Sequence, residues 1–87
     1  MKLFRTESFK RDFQSLPKDL QPRAEKAILL LAENPRHPSL RAKKIKGTKD
    51  SWEASVTMSH RIVYTLVDDT LILRRIGTHN ILKRVPR

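Results

Sequence analysis

The 87-residue chain has no cysteine. That excludes disulfides and thiolate metal sites, and it argues against a small secreted scaffold. No apolar stretch approaches the ~20 residues of a membrane span. The first residues, Met-Lys-Leu-Phe-Arg-Thr-Glu, hold no apolar run that could act as a signal peptide. The cytoplasm is therefore the expected compartment. Repeats, linkers and low-complexity segments are also lacking, so the expectation is one domain over 1–87. A domain of this size buries roughly 60–65% of its unfolded surface, which makes for a thin core.

Acids are scarce as well. There are 9 Asp and Glu against 19 Lys and Arg, a net charge of +10. The cations are segregated. From Arg36 to Lys49 there are six Lys or Arg and no acid, and from Arg74 to Arg87 five, with one His and no acid. Such a field recruits polyanions, chiefly nucleic acid, or an acidic protein partner.

The apolar pattern begins with a short strand at Lys2 to Arg5. Thr6 suits a helix N-cap, and Glu7 suits the first turn, where the helix dipole favours an acid. Phe9, Phe13 and Leu16 then share one helical face up to Pro17. A second helix starts near Asp19. Pro22 is tolerated in its first turn, and Leu20, Ala24, Ala27, Ile28 and Leu31 form its apolar stripe. Asn34-Pro35 ends it. From there the pattern changes to strands: Lys43 to Lys46, Trp52 to Met58 with period two, Arg61 to Val67, and Thr70 to Ile76 with Gly77 as a break. Asp68-Asp69 makes a hairpin turn. His79 to Arg87 reads as a tail or short helix. The expectation is an α+β domain of order β-α-α-β-β-β, with a helical hairpin packed on one face of a twisted antiparallel sheet. The other face is expected to be basic and open.

The hairpin brings two residues into range. Residue 61 should lie opposite 76 or 77, which places His79 within ~10 Å of Arg61 at 3.3 Å per residue. Arginine pairs with phosphate oxygens at any working pH, and histidine can donate a proton near neutrality. Metal-free RNA cleavage needs such a clamp and such an acid, plus a base for the 2′-hydroxyl. Base candidates are the lysines Lys43, Lys44 and Lys46, with Glu53 as the carboxylate alternative. Lys43, Lys44, Lys46, Arg74, Arg75, Lys83 and Arg84 are candidate RNA-binding cations. Alternative roles stay open: Arg61 can pair with Glu53 on the neighbouring strand, His79 can be a surface residue, and Trp52 can stack a base or fill the core. His37 and His60 read as bystanders. Three histidines without a close pair give no metal signal, and no cofactor is expected.

The chain resembles the RelE/ParE superfamily of bacterial toxin–antitoxin toxins. The resemblance rests on Phe9-Lys10-Arg11-Asp12-Phe13, Leu16-Pro17, Asn34 to Leu40 (Asn-Pro-Arg-His-Pro-Ser-Leu), Lys44-Ile45-Lys46-Gly47, Trp52-Glu53-Ala54, Arg61-Ile62-Val63-Tyr64 and Ile76-Gly77-Thr78-His79. It implies this fold, a cognate antitoxin as partner, and either of two activities. RelE-like members cleave mRNA in the ribosomal A site, and ParE-like members poison DNA gyrase. On the RelE-like, YafQ-like side, it implies Arg61 as the transition-state cation and His79 as the general acid. It offers no base: RelE's strand lysines are missing from Trp52-Glu53-Ala54-Ser55, and the YoeB-type glutamate position falls near Lys43. A weakened relative that only binds RNA is a further alternative.

Overall fold

The computed structural model describes the backbone of residues 1–84 and the side chains of residues 1–81. Five strands and two helices follow in the order β1 (Lys2–Arg5), α1 (Glu7–Ser15), α2 (Leu20–Glu33), β2 (Lys43–Lys44), β3 (Ser51–Ser55), β4 (His60–Val67) and β5 (Thr70–Thr78). Short 3₁₀ segments occupy Pro38–Leu40 and His79–Arg84. The sheet order is β1-β5-β4-β3-β2. β2 to β5 pair antiparallel, as expected. β1 joins β5 in parallel, so the sheet is mixed rather than wholly antiparallel. Both helices lie on one face of it, over a core that includes Phe9, Ala24, Ile28, Leu31, Ile62, Tyr64, Leu71, Leu73 and Ile76.

Local chemistry explains the helix ends. The Thr6 hydroxyl accepts from the Phe9 amide at 3.2 Å and donates to the Leu73 carbonyl at 2.9 Å. One side chain thus caps α1 and ties it to β5. Asp19 stands at the N-cap of α2 but makes no capping bond, because its backbone is already helical (φ −69°, ψ −21°). Gln21 instead reaches back and donates to the carbonyls of Phe13 and Leu16 at the end of α1.

Three strand boundaries differ from the sequence reading. The strand expected at Lys43 to Lys46 pairs only at Lys43–Lys44. Beyond it Thr48 closes a loop by donating to the Ile45 carbonyl at 2.6 Å. β3 stops at Ser55 instead of Met58. There the Thr57 hydroxyl accepts from the amides of Ser59 and His60, closing a turn that leaves Met58 94% exposed. Gly77 does not break β5; it pairs with Arg61, and the strand runs on to Thr78.

β5 carries a bulge. Val63 pairs with Arg75 while Tyr64 pairs with Leu73, so Arg74 is an extra residue. Next to it, Asp12 of α1 takes Nε and Nη2 of Arg75 at 2.6 and 3.1 Å and the Ile76 amide at 3.1 Å. These bonds hold the Arg75 guanidinium above the ordinary arginine range. Asp12 therefore fastens α1 to the bulge.

Candidate active site

On β3, Trp52 and Ala54 pack toward the helices, so Glu53 alternates onto the opposite face. On β4, Ile62 and Tyr64 face the helices, which puts Arg61 and Val63 beside Glu53. Arg61 Nη1 donates to Glu53 Oε1 at 2.7 Å. Lys43 Nζ stands 3.9 Å from the same oxygen. The Glu53 side chain is 6% exposed, that of Arg61 27%, and that of Lys43 67%. The result is a buried carboxylate with two cations above it, graded from half-buried to exposed. A guanidinium has five N–H donors, so the bond to Glu53 leaves Arg61 further donors for an anion.

This face is less open than expected. The 3₁₀ segment folds back so that Ile81 packs with Val63 and Ile45. A Cβ on Gly77 would lie 2.9 Å from Ile81 Cγ2, so the close approach requires glycine. Val63 is the cross-strand partner of Glu53. This small apolar cluster therefore flanks the ion pair and strengthens it by excluding water.

Arg61 is registered against Gly77, within the expected 76 or 77 and set there by the bulge, and His79 stands two residues further on. His79 is exposed and has no hydrogen-bond partner among the described residues. Glu53, expected as a possible free base, is buried and engaged by Arg61 and Lys43. Lys46 lies exposed in the loop after β2. Lys43 and Lys44 separate: Lys43 is registered against Glu53, and Lys44 against Trp52 on the helix-bearing side. Arg74 is half-buried at the bulge. Arg75, expected to bind RNA, is held by Asp12 instead. The side chains of Lys83 and Arg84 lie outside the described residues.

Residues given no site role in the sequence reading shape the site. Ile81 and Ile45 cover it, and the signal that could have found them was Gly77, whose need is a close contact rather than a turn. Arg36 and Arg41 line a cavity of about 360 Å³ on the other side of the sheet, with Trp52, Tyr64 and Leu66.

Comparison with known proteins agrees with this architecture. Among curated proteins none matches the chain. Solved structures do. A copper-bound mutant toxin from Helicobacter pylori is 29% identical, with a TM-score of 0.74 over 94% of this chain and 98% of that one. YafQ in the E. coli DinJ–YafQ toxin–antitoxin complex is 21% identical, with a TM-score of 0.79 over 93% and 94%. A chain of the RelB–RelE antitoxin–toxin complex from Methanococcus jannaschii is 20% identical, with a TM-score of 0.76 over 97% and 99%. The last two likenesses establish the fold. Residues 3–82 match the family model described as the ParE toxin of the type II toxin–antitoxin system parDE. With that match spanning both helices, β2 to β5, nearly all of β1 and the Glu53–Arg61 pair, the chain belongs to the ParE toxin family of type II toxin–antitoxin systems.

Proposed function

We propose that this toxin acts as an RNA endonuclease on mRNA, most effectively in the ribosomal A site. The observation that carries this reading is the Arg61 guanidinium, held at 2.7 Å by the buried Glu53 on the face away from the helices. An arginine fixed from behind by a carboxylate is pre-oriented for a phosphate in front. In the proposed step the 2′-oxygen attacks phosphorus and the 5′-oxygen departs. Arg61 stabilises the charge that builds on the phosphoryl oxygens, and His79 gives its proton to the leaving oxygen. Glu53 acts here as a positioning residue. Lys46 is the candidate acceptor for the 2′-hydroxyl proton. Lys43 and Arg74 are assigned to phosphate binding, and positioning of the RNA contributes a further share of the rate.

A cognate antitoxin is the proposed regulator. The +10 net charge suits an acidic segment that orders as it wraps the toxin. The cytoplasm, where ribosomes are, is the proposed location. Among the described residues no helix is long and apolar enough to cross a membrane.

The match to the ParE family favours a second reading, in which the toxin poisons DNA gyrase by binding and needs neither Arg61 nor His79. Primer extension on cellular mRNA after a pulse of expression separates the two. Codon-aligned cuts, lost with His79→Ala and with Arg61→Ala, support the nuclease. Intact mRNA with induction of the DNA-damage response, unchanged in both variants, supports the gyrase poison and removes the first reading.

A further inference from the structure

The helix-bearing side of the sheet has a site of its own. Past the C-terminal end of α2, the chain turns through Pro38–Leu40 and leaves a cavity of about 360 Å³ against β3 and β4. Its wall is apolar and partly aromatic, with Trp52 half-buried and Leu66 beside it. Tyr64 lines it while only 1% exposed, and its hydroxyl has no hydrogen-bond partner among the described residues. Arg36 and Arg41 also line it; both are exposed, and neither guanidinium has a partner among the described residues. A phenolic hydroxyl without a protein partner, an indole wall and two free guanidinia fit a planar, hydrogen-bonding, anionic ligand.

We propose that this cavity is a nucleotide-binding subsite for single-stranded RNA, with a base against Trp52 and hydrogen-bonded by Tyr64, and its phosphate on Arg36 and Arg41. The volume exceeds what one base needs and accommodates a nucleotide. The proposal deepens the nuclease reading and rests on RNA being the ligand. The edge strand supplies the path. On β2, Lys43 stands beside Glu53 on one face and Lys44 opposite Trp52 on the other. A strand leaving the Arg61 site can therefore cross this two-residue edge with a cation on each side. The cavity then grips RNA away from the scissile bond, and contributes affinity and register rather than chemistry.

Trp52 is the only tryptophan and lines this cavity, so its fluorescence is a probe of binding there. The purified toxin is titrated with adenosine 5′-monophosphate and with a short single-stranded oligoribonucleotide. The expected result is saturable quenching, with the oligoribonucleotide binding more tightly. Arg36→Ala combined with Arg41→Asn should weaken binding by at least about tenfold, as expected for loss of charge-assisted bonds. Asparagine is chosen at 41 because Arg41 has φ 47°, which asparagine tolerates. Tyr64→Phe keeps the ring and should weaken binding about three- to tenfold. Absence of saturable quenching, or titrations unaltered in these variants, overturns the proposal. So does quenching by a glutamate-rich peptide carrying one leucine when the nucleotides give none, which would make the cavity a protein docking site. Because the titration needs no cleavage, mRNA left intact in cells with nucleotide binding at Trp52 removes only the nuclease reading. Cleavage without such binding removes only this proposal.

Discussion

The Arg61 guanidinium donates to a Glu53 carboxylate that is almost fully buried, so the cation in the proposed site is held from beneath by the protein. Removing one partner leaves the other under-paired in a poorly hydrated place. Arg61→Ala is expected to destabilise the fold by about 1–3 kcal/mol, because Glu53 then keeps only the more distant Lys43. Adding Glu53→Gln to Arg61→Ala should recover part of that loss, since the buried charge is gone, but no toxicity. Urea unfolding and growth assays on the two variants check both halves.

Asp12 should rank among the most important polar residues for stability. It satisfies two arginine nitrogens and one backbone amide at the bulge. Asp12→Ala removes all three bonds and leaves Arg75 under-paired, for a loss of about 2–4 kcal/mol. Arg75→Ala, which spares the Ile76 amide bond, should cost less. Chemical denaturation of the two single variants tests the order; equal losses would contradict it.

Gly77 and Ile81 should be energetically coupled. Gly77→Ala places a methyl 2.9 Å from Ile81 Cγ2 and should cost about 1–3 kcal/mol through overpacking. Ile81→Ala opens the space the new methyl needs. The double variant should then be more stable than the sum of the two singles predicts, by about 1 kcal/mol. A double-mutant cycle by thermal or urea unfolding measures the coupling.

Burial raises the Tyr64 phenol above its ordinary value of 10.0, because the phenolate is denied water. The fold thus favours the protonated ring. Its contribution is fully present below about pH 10, and is lost as pH rises from there through the higher folded value. Comparing unfolding midpoints of wild type and Tyr64→Phe at pH 8 and pH 11 isolates this from the lysines, which both proteins share. The wild type should lose more stability than the variant. Tyr64 is the only tyrosine, so phenolate absorbance follows its ionisation directly.

His79→Ala should leave the unfolding midpoint within about 0.5 kcal/mol of wild type, because the side chain is exposed and bonded to nothing among the described residues. Loss of mRNA cuts without loss of stability is the outcome expected of a residue that acts on substrate.

Much of the fold was legible because it depends on local rules. Phe9 and Phe13 at helical spacing, Thr6 before an acid, and Asp68-Asp69 between two β-branched runs each report on neighbours within a few residues. Asp68 does take the positive φ, 53°, at the hairpin turn. Counting outward from that turn put Arg61 opposite 76 or 77, and the bulge at Arg74 settled it on Gly77. Contacts made at long range were not legible. Asp12 and Arg75 are 63 residues apart, and no period in the sequence links them. The bulge at Arg74 shifts the face of everything after it, and Arg75, expected to bind RNA, meets Asp12 instead. Gly77 looked like a strand break, since nothing nearby shows that Ile81 returns to pack against it.

The chain's own pattern thus determined the kind of protein this is: a basic, cysteine-free α+β domain with an arginine and a histidine brought toward one another by a hairpin. Charge counts and hydrophobic periods are local quantities, and a reader of the sequence can sum them. The tertiary structure decided what each charged group is free to do. Glu53 became the support for Arg61, Arg75 a strut for α1, and Lys43 and Lys44 neighbours on opposite faces. Those roles depend on burial and on which side chains meet across the sheet, and only the packed chain determines either.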